Sequence, residues 1–167
     1  MGLFKFIGKS DSENVAQTLV RSVSSSLEQL PAGVSRYLAT FAFVLGRVAH
    51  ADRHFSDAET RAMTDLVQVS GSLTAEQAAL VVEIAKGQHR LFADQDASRI
   101  TKQFRKMVAP DDVHKLMHGV LAVATADHQL TDDESAAVRD IGRDLGLPKD
   151  EIDDLLNAYH RKRVGNP

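Results

Sequence analysis

Two ten-residue stretches of the chain have nearly the same sequence, HADRHFSDAE at residues 50–59 and TADHQLTDDE at residues 125–134. They are 75 residues apart, and the correspondence extends without a gap into the flanking segments. The identical pairs include Val48/Val123, Ala49/Ala124, Ala51/Ala126, Asp52/Asp127, Asp57/Asp132, Glu59/Glu134, Asp65/Asp140, Gly71/Gly146, Glu76/Glu151 and Leu80/Leu155. A doubled unit usually packs so that each half covers the apolar face of the other. The repeat therefore predicts two pseudo-twofold related halves, at about residues 34–86 and 109–161.

Apolar residues recur at helical spacing along almost the whole chain. The first run has Val15, Leu19, Val23, Leu27 and Leu30, and it ends at Pro31. Later runs begin near Tyr37, Ser56, Thr74, Ile100, Pro110, Thr131 and Pro148, with Gly71, Gly87 and Gly146 as expected helix ends. No stretch alternates with a period of two for long enough to form a strand. The pattern predicts an all-α fold of seven or eight helices, in a single domain at residues 12–163.

Composition excludes several classes of protein. The 167 residues carry a net charge of −3, which gives no electrostatic footprint for nucleic acid. There is no Cys, so neither a disulfide framework nor a thiolate zinc site can form. No apolar run is long enough to span a membrane. These features predict a cytoplasmic globular protein.

The N-terminal stretch MGLFKFIGKS is short and apolar, with Lys5 and Lys9 as its charges. It lacks the three regions of a secretory signal peptide. We expect residues 1–11 to form a flexible segment that is available for peripheral contact with the inner membrane surface or with a partner protein.

Both acidic stretches contain signals for the start of a helix. Ser56 with Glu59, and Thr131 with Glu134, have the spacing of capping boxes, in which side chains and backbone amides bond reciprocally. Asp57 would lie in a first helical turn, where the helix dipole favours negative charge. These residues therefore have a structural function without any ligand.

Capping leaves Asp52 and Asp127 unexplained. Each lies at the end of an apolar helix, where the dipole disfavours a carboxylate, so each calls for a compensating cation or hydrogen bonds. A carboxylate there, and a Glu seven residues later across a tight turn, can face each other and suit a divalent cation. The spacing does not fit an EF-hand, which requires a longer loop with a central Gly.

The doubled pattern of Ala-Asp, a turn, an apolar residue, a cap and Glu resembles the tellurite-resistance TerB-like family over roughly residues 34–160. The resemblance implies an all-helical domain of two related halves and a link to tellurite and other stress responses. Related domains occur in membrane-anchored DnaJ co-chaperones. It also implies metal-binding acidic turns, carried here by Asp52, Glu59, Asp127 and Glu134. The family usually has Gly after the Asp, where this chain has Arg53 and His128, so the turn geometry is in question.

Histidines are close in sequence to the acidic residues and add a second type of possible metal ligand. His50, His54 and His128 would add nitrogen ligands, which favours zinc or manganese over calcium or magnesium. For each of them taken alone, a solvated surface side chain is the commoner case. His114 and His118 are a weaker candidate pair, and His89 is interpreted as a cation near a helix end.

Three functions are compatible with these features. The favoured one is a non-catalytic, metal-binding or metal-responsive interaction domain that works with other stress-resistance proteins. The alternative is a structural adaptor or co-chaperone-like protein that docks at the inner membrane. A metallohydrolase is the third, although the sequence supplies no recognisable general base. The oligomeric state does not follow from the sequence.

Overall fold

The computed structural model describes residues 30–91 and 94–164. Every regular element in these ranges is helical, which confirms the all-α fold. The seven α-helices are α1 (Ala32–Ala49), α2 (Asp57–Gly71), α3 (Ala75–His89), α4 (Asp94–Arg105), α5 (Val113–Ala124), α6 (Asp132–Asp144) and α7 (Lys149–Val164), and a 3₁₀ turn covers Pro110–Asp112. The predicted N-terminal segment at residues 1–11 lies outside the described residues, as does nearly all of the first predicted helix.

Helix α1 is the centre of the fold. It contacts α2, α3, α4, α5 and α6, and from Leu38 to Ala49 every residue except Arg47 is buried. A helix that is apolar on all sides has to be surrounded by other elements. The remaining helices therefore cover α1, and α7 completes the second half by packing against α6.

Helix boundaries mostly follow the predicted local signals. Complete capping boxes start α2, α3 and α6, at Ser56, Thr74 and Thr131. Helix α2 ends at Gly71, with Ser72 in the left-handed region as its cap. One prediction was wrong, because α3 continues through Gly87 to His89. A single Gly weakens a helix by only about 1 kcal/mol, which the packing of α3 on α1 and α2 outweighs.

The 75-residue offset also relates the helix boundaries. Helix α1 ends at Ala49 and α5 at Ala124, while α2 begins at Asp57 and α6 at Asp132. Helix α4 falls between the two repeated units and packs on α1 and α6. These boundaries agree with two related halves, and the superposition of the halves stays a prediction.

An ion pair with little solvent exposure ties α1, α4 and α6 together. Arg47 Nη1 lies 2.8 Å from Asp144 Oδ2, and both side chains are only 11% exposed. The α4 hydroxyls complete the network, since Ser98 donates to Asp144 Oδ1 at 2.8 Å and Thr101 accepts from Arg47 at 2.8 Å. Removal of one member would leave a poorly hydrated charge without its partner.

None of the helices in the described part of the chain has the length and apolar character needed to cross a membrane.

Candidate functional site: the two acidic turns

The connections α1–α2 and α5–α6 have the same backbone conformation. We name residues 50–56 the first acidic turn and residues 125–131 the second acidic turn. In each, a non-glycine residue occupies the left-handed region, Arg53 with φ 64° and His128 with φ 67°. The amide of Arg53 donates to the His50 carbonyl at 2.8 Å, and that of His128 to the Thr125 carbonyl at 3.1 Å. The absence of Gly from these two positions therefore does not prevent the left-handed turn.

Asp52 and Asp127 have a structural function that the sequence reasoning missed. Asp52 Oδ1 accepts a hydrogen bond from the His54 amide at 2.9 Å, and Asp127 Oδ1 accepts from the Gln129 amide at 2.9 Å. Both are Asx-turns, in which the side chain bonds the backbone two residues further on. A carboxylate at a helix end calls for a compensating cation or hydrogen bonds, and these two bonds supply the second kind of compensation. An Asp immediately before a left-handed residue was the signal that could have revealed the Asx-turn.

Glu59 and Glu134 are the buried acids of the site, each only 3% exposed. Their Oε2 atoms accept from the cap amides of Ser56 and Thr131, at 2.8 and 2.6 Å. Their own amides donate to the cap hydroxyls at 3.1 Å. Both predicted capping boxes are thereby confirmed.

The second oxygen of Glu59 has no such bond. Its Oε1 is buried and has no hydrogen-bond partner among the described residues. Burial raises the pKa of Glu59 from 4.5 to about 7, although the hydrogen bonds from Ser56 act in the opposite direction. The negative charges of Glu134 and Asp127 raise the pKa further. The second acidic turn thus lies close enough to the first to interact with it electrostatically.

The predicted histidine ligands have two kinds of surroundings. The half-buried ring of His50 stacks on Phe55, with 5.3 Å between the ring centroids, whereas His54 and His128 are exposed. Across residues 30–91 and 94–164, no three His, Asp or Glu side chains are arranged to hold a metal ion together. Among the predicted ligands, Glu134 and Asp127 carry negative charges that raise the pKa of Glu59. The seven-residue ligand set stays a prediction.

His89 is the residue whose environment the sequence reasoning misjudged. It is 7% exposed, its ring stacks on Phe43 with 4.2 Å between centroids, and its Nε2 lies 2.7 Å from the Phe43 carbonyl oxygen. Because a carbonyl only accepts, Nε2 carries the proton and donates. Burial lowers the pKa of His89 to about 4, and the charges of His50 and Arg47 act in the same direction. The interpretation of His89 as a cation at a helix end was therefore wrong.

Gly46 makes room for this histidine. A Cβ atom at Gly46 would lie 2.6 Å from His89 Nε2, which is closer than real Cβ contacts come. A Gly within an otherwise apolar helix was thus the available signal that another group approaches α1 closely.

The weaker candidate pair on α5 contacts α7 instead. His114 Nε2 lies 3.0 Å from Glu151 Oε2, and His118 Nδ1 lies 3.3 Å from the Tyr159 hydroxyl. Both histidines therefore pair with residues of α7 at the surface.

The fold and the site together define a class of protein, an all-helical domain with two acidic turns of the same local conformation. The family model described as tellurite resistance protein TerB matches residues 38–157, most of the chain. The chain therefore belongs to the TerB family and contains a domain associated with tellurite resistance. None of the curated proteins matches it, and neither does any solved structure.

Proposed function

We propose that this protein is a non-catalytic, metal-binding interaction domain of a tellurite or stress-resistance system, and that a divalent cation binds between the two acidic turns. One observation carries the proposal. Glu59 Oε1 is buried without a hydrogen-bond partner among the described residues, and it experiences the negative charges of Glu134 and Asp127. A cation beside this oxygen would satisfy it and neutralise the repulsion.

The third capping box of the chain shows that capping alone does not require a carboxylate. At the start of α3, Gln77 Oε1 accepts from the Thr74 amide at 3.0 Å, and the Thr74 hydroxyl accepts from the Gln77 amide at 3.2 Å. One side-chain oxygen is therefore sufficient for the box. The two acidic turns use Glu at this position, and at the first turn the second oxygen, Glu59 Oε1, has no hydrogen-bond partner among the described residues.

The donor atoms decide which ions fit. Glu59 and Glu134, with Asp127 nearby, would supply oxygen ligands, and Mg²⁺ or Ca²⁺ can complete such a set with water. Zinc or manganese would gain from nitrogen ligands, for which His50, His54 and His128 are the nearest in sequence. The bound ion would neutralise the carboxylates and fix the two turns relative to each other. Partner stress-resistance proteins would then recognise the metal-bound surface.

The test compares metal binding by the full chain and by variants that keep the turns intact. Protein treated with chelator is titrated by calorimetry with Zn²⁺, Mn²⁺, Ca²⁺ and Mg²⁺, and its melting temperature is measured with and without metal. We expect specific binding, with about 3 kcal/mol of stabilisation at a hundredfold excess over Kd. An absence of specific binding at micromolar metal would refute the proposal.

Two sets of variants identify the ligands. Glu59→Gln keeps the capping oxygen and removes the charge, so metal-induced stabilisation should be lost. Asp52→Asn combined with Asp127→Asn keeps both Asx-turns, because the amide oxygen accepts the same bonds. This double variant should also lose the stabilisation, and its metal-free form should be as stable as the unmutated protein or more so. Glu76→Gln, an exposed change on α3, is the matched control.

The structural adaptor alternative is favoured by a different observation. The Asx-turns and capping boxes give Asp52, Asp127, Glu59 and Glu134 at least one hydrogen bond each without an ion. If the calorimetry detects no metal, the acidic turns are structural. Co-sedimentation with anionic vesicles, with and without residues 2–10, would then test docking at the inner membrane. No observation in the structure favours the metallohydrolase.

A further inference from the structure

A mostly apolar cavity of about 360 Å³ opens where α1, α2 and α5 meet. Tyr37 and Phe41 line it from α1, Leu66 from α2, Leu116 from α5, and Met107 from the loop that follows α4. Lys115 and Asp112 are also part of the lining and pair with each other at 2.7 Å. None of the lining residues belongs to either acidic turn.

Apolar side chains around the cavity are unusually exposed. Met107, part of its lining, is 38% exposed, and Val34, one turn before Tyr37 on α1, is 36% exposed. Exposed apolar surface next to an apolar cavity is typical of a contact site for another segment or protein.

The course of the chain indicates which segment can reach this site. Leu30 is partly buried against the core, and Pro31 precedes α1. Tyr37 and Phe41 lie about 8 to 14 Å along α1 from Ala32, at 1.5 Å per residue. Residues 1–29, which precede this point, lie outside the described residues, so a long piece of chain starts beside the cavity.

The sequence of that piece matches an apolar site. Val15, Leu19, Val23 and Leu27 follow one another at intervals of four, which places them on one face of a helix. Gln17, Arg21 and Ser25 fall on the opposite face. A helix over residues 15–27 would be about 18 Å long, and its apolar face would need a surface to cover it.

We propose that the apolar face of residues 15–27 packs as a helix into the cavity between α1, α2 and α5. The short connection at Leu30 and Pro31 favours an antiparallel arrangement with α1, because helices joined by a few residues form a hairpin. The occupant of the cavity is thus a segment of this same chain. Residues 1–10 are not part of this proposal and stay the candidate for membrane contact.

Engineered cysteine pairs test the proposal in the full chain, which has no Cys of its own. Leu27→Cys or Val23→Cys is combined with Met107→Cys or Ser70→Cys, and disulfide formation is followed by mass spectrometry. We expect an intramolecular disulfide that forms at least about tenfold faster than in the Ser25→Cys control, because packing raises the effective concentration of the two thiols. Equal rates for the two faces, or a disulfide between two chains, would overturn the proposal.

Tryptophan fluorescence gives a second readout that does not depend on disulfide geometry, since the chain has no Trp. Val23→Trp should emit at a shorter wavelength than Ser25→Trp, and the addition of Met107→Glu should shift its emission towards that of Ser25→Trp. Identical emission from both positions contradicts the proposal. A blue shift of Val23→Trp that requires phosphatidylglycerol vesicles also contradicts it, because the segment would then cover a membrane surface instead.

Discussion

The first and second acidic turns share a backbone but differ in what surrounds them. Both have a left-handed residue, an Asx-turn and a capping box. Behind the first turn lies a cluster of rings, in which His50 stacks on Phe55 and lies 5.7 Å from His89, itself stacked on Phe43. At the 75-residue offset, the second half has Thr125, Leu130, Val164 and His118 in these places.

This difference shows that a repeated sequence reproduces the backbone of a turn but not the side chains that pack behind it. The hydrogen bonds of each turn join residues at most four positions apart, so the same short sequence gives the same backbone twice. The ring cluster joins α1 with the far end of α3, and the residues needed for it occur once. Among the described residues, the groups with strongly shifted pKa values are accordingly Glu59, next to the first acidic turn, and His89, in the ring cluster behind it.

The largest expected effect is on the pH dependence of stability without metal. The folded-state pKa of Glu59 is raised from 4.5 to about 7, so the folded state binds more protons in this window. Stability should therefore fall as the pH rises from 4.5 through 7, by at most about 3 kcal/mol. Glu59→Gln, which stays neutral, should be more stable than the unmutated protein above pH 7 and equally stable below pH 4.5.

His89 contributes a pH dependence of the opposite sign. Its folded-state pKa is lowered from 6.5 to about 4, so its contribution to stability is complete above pH 6.5 and is lost as the pH falls towards 4. Glu59→Gln should expose this rising slope, which can be measured by urea denaturation across the pH range. Glu134→Gln, which removes only a neighbouring charge, should give a smaller gain above pH 7. A loss of stability in Glu59→Gln at pH 8 would contradict the assignment.

The next largest effect comes from filling the space that the ring cluster needs. Gly46→Ala would place a Cβ atom 2.6 Å from His89 Nε2, and the stacking and hydrogen bond of His89 with Phe43 prevent an easy shift. We expect a loss of about 1–3 kcal/mol in thermal or chemical unfolding. Gly87→Ala is the control, because nothing lies within 4 Å of its Cβ and a helical Gly→Ala change should stabilise by about 0.5–1 kcal/mol. Equal effects of the two substitutions would show that His89 is not packed against Gly46.

A smaller effect should be the same in both turns. Arg53→Gly and His128→Gly each replace a residue held in the left-handed region, with φ values of 64° and 67°. Each should stabilise the protein by up to about 1 kcal/mol, since Gly adopts this region without a steric penalty. The two melting temperatures should rise equally, and a clear difference between them would show that the backbones of the turns are not equivalent.

The smallest effect concerns residues that belong to neither half. Deletion of residues 2–10 should change the free energy of unfolding by less than about 0.5 kcal/mol, because these residues precede the first helix signal in the sequence. Calorimetric melting of the deleted and full chains checks this directly. A decrease of many degrees would show that the apolar stretch at residues 3–7 is part of the core.

The sequence alone determined the features that depend on near neighbours. The helical class followed from apolar spacing, and the capping boxes at Ser56, Thr74 and Thr131 followed from one side chain and an amide three residues away. The end of α2 at Gly71 was equally readable, whereas the end of α3 was not, because contacts with α1 and α2 carry that helix past Gly87. Interactions between near neighbours cost little loop-closure entropy, so they form wherever the same short sequence occurs.

Only the tertiary structure decided the pKa values of the buried Glu59 and His89. The raised pKa of Glu59 needs burial and the charges of Glu134 and Asp127, which lie about 70 positions further along the chain. The neutral state of His89 needs the gap at Gly46 and the carbonyl of Phe43, both on another helix. Desolvation and charge repulsion depend on which groups the fold brings together and how completely it excludes water, and a local sequence pattern contains neither quantity.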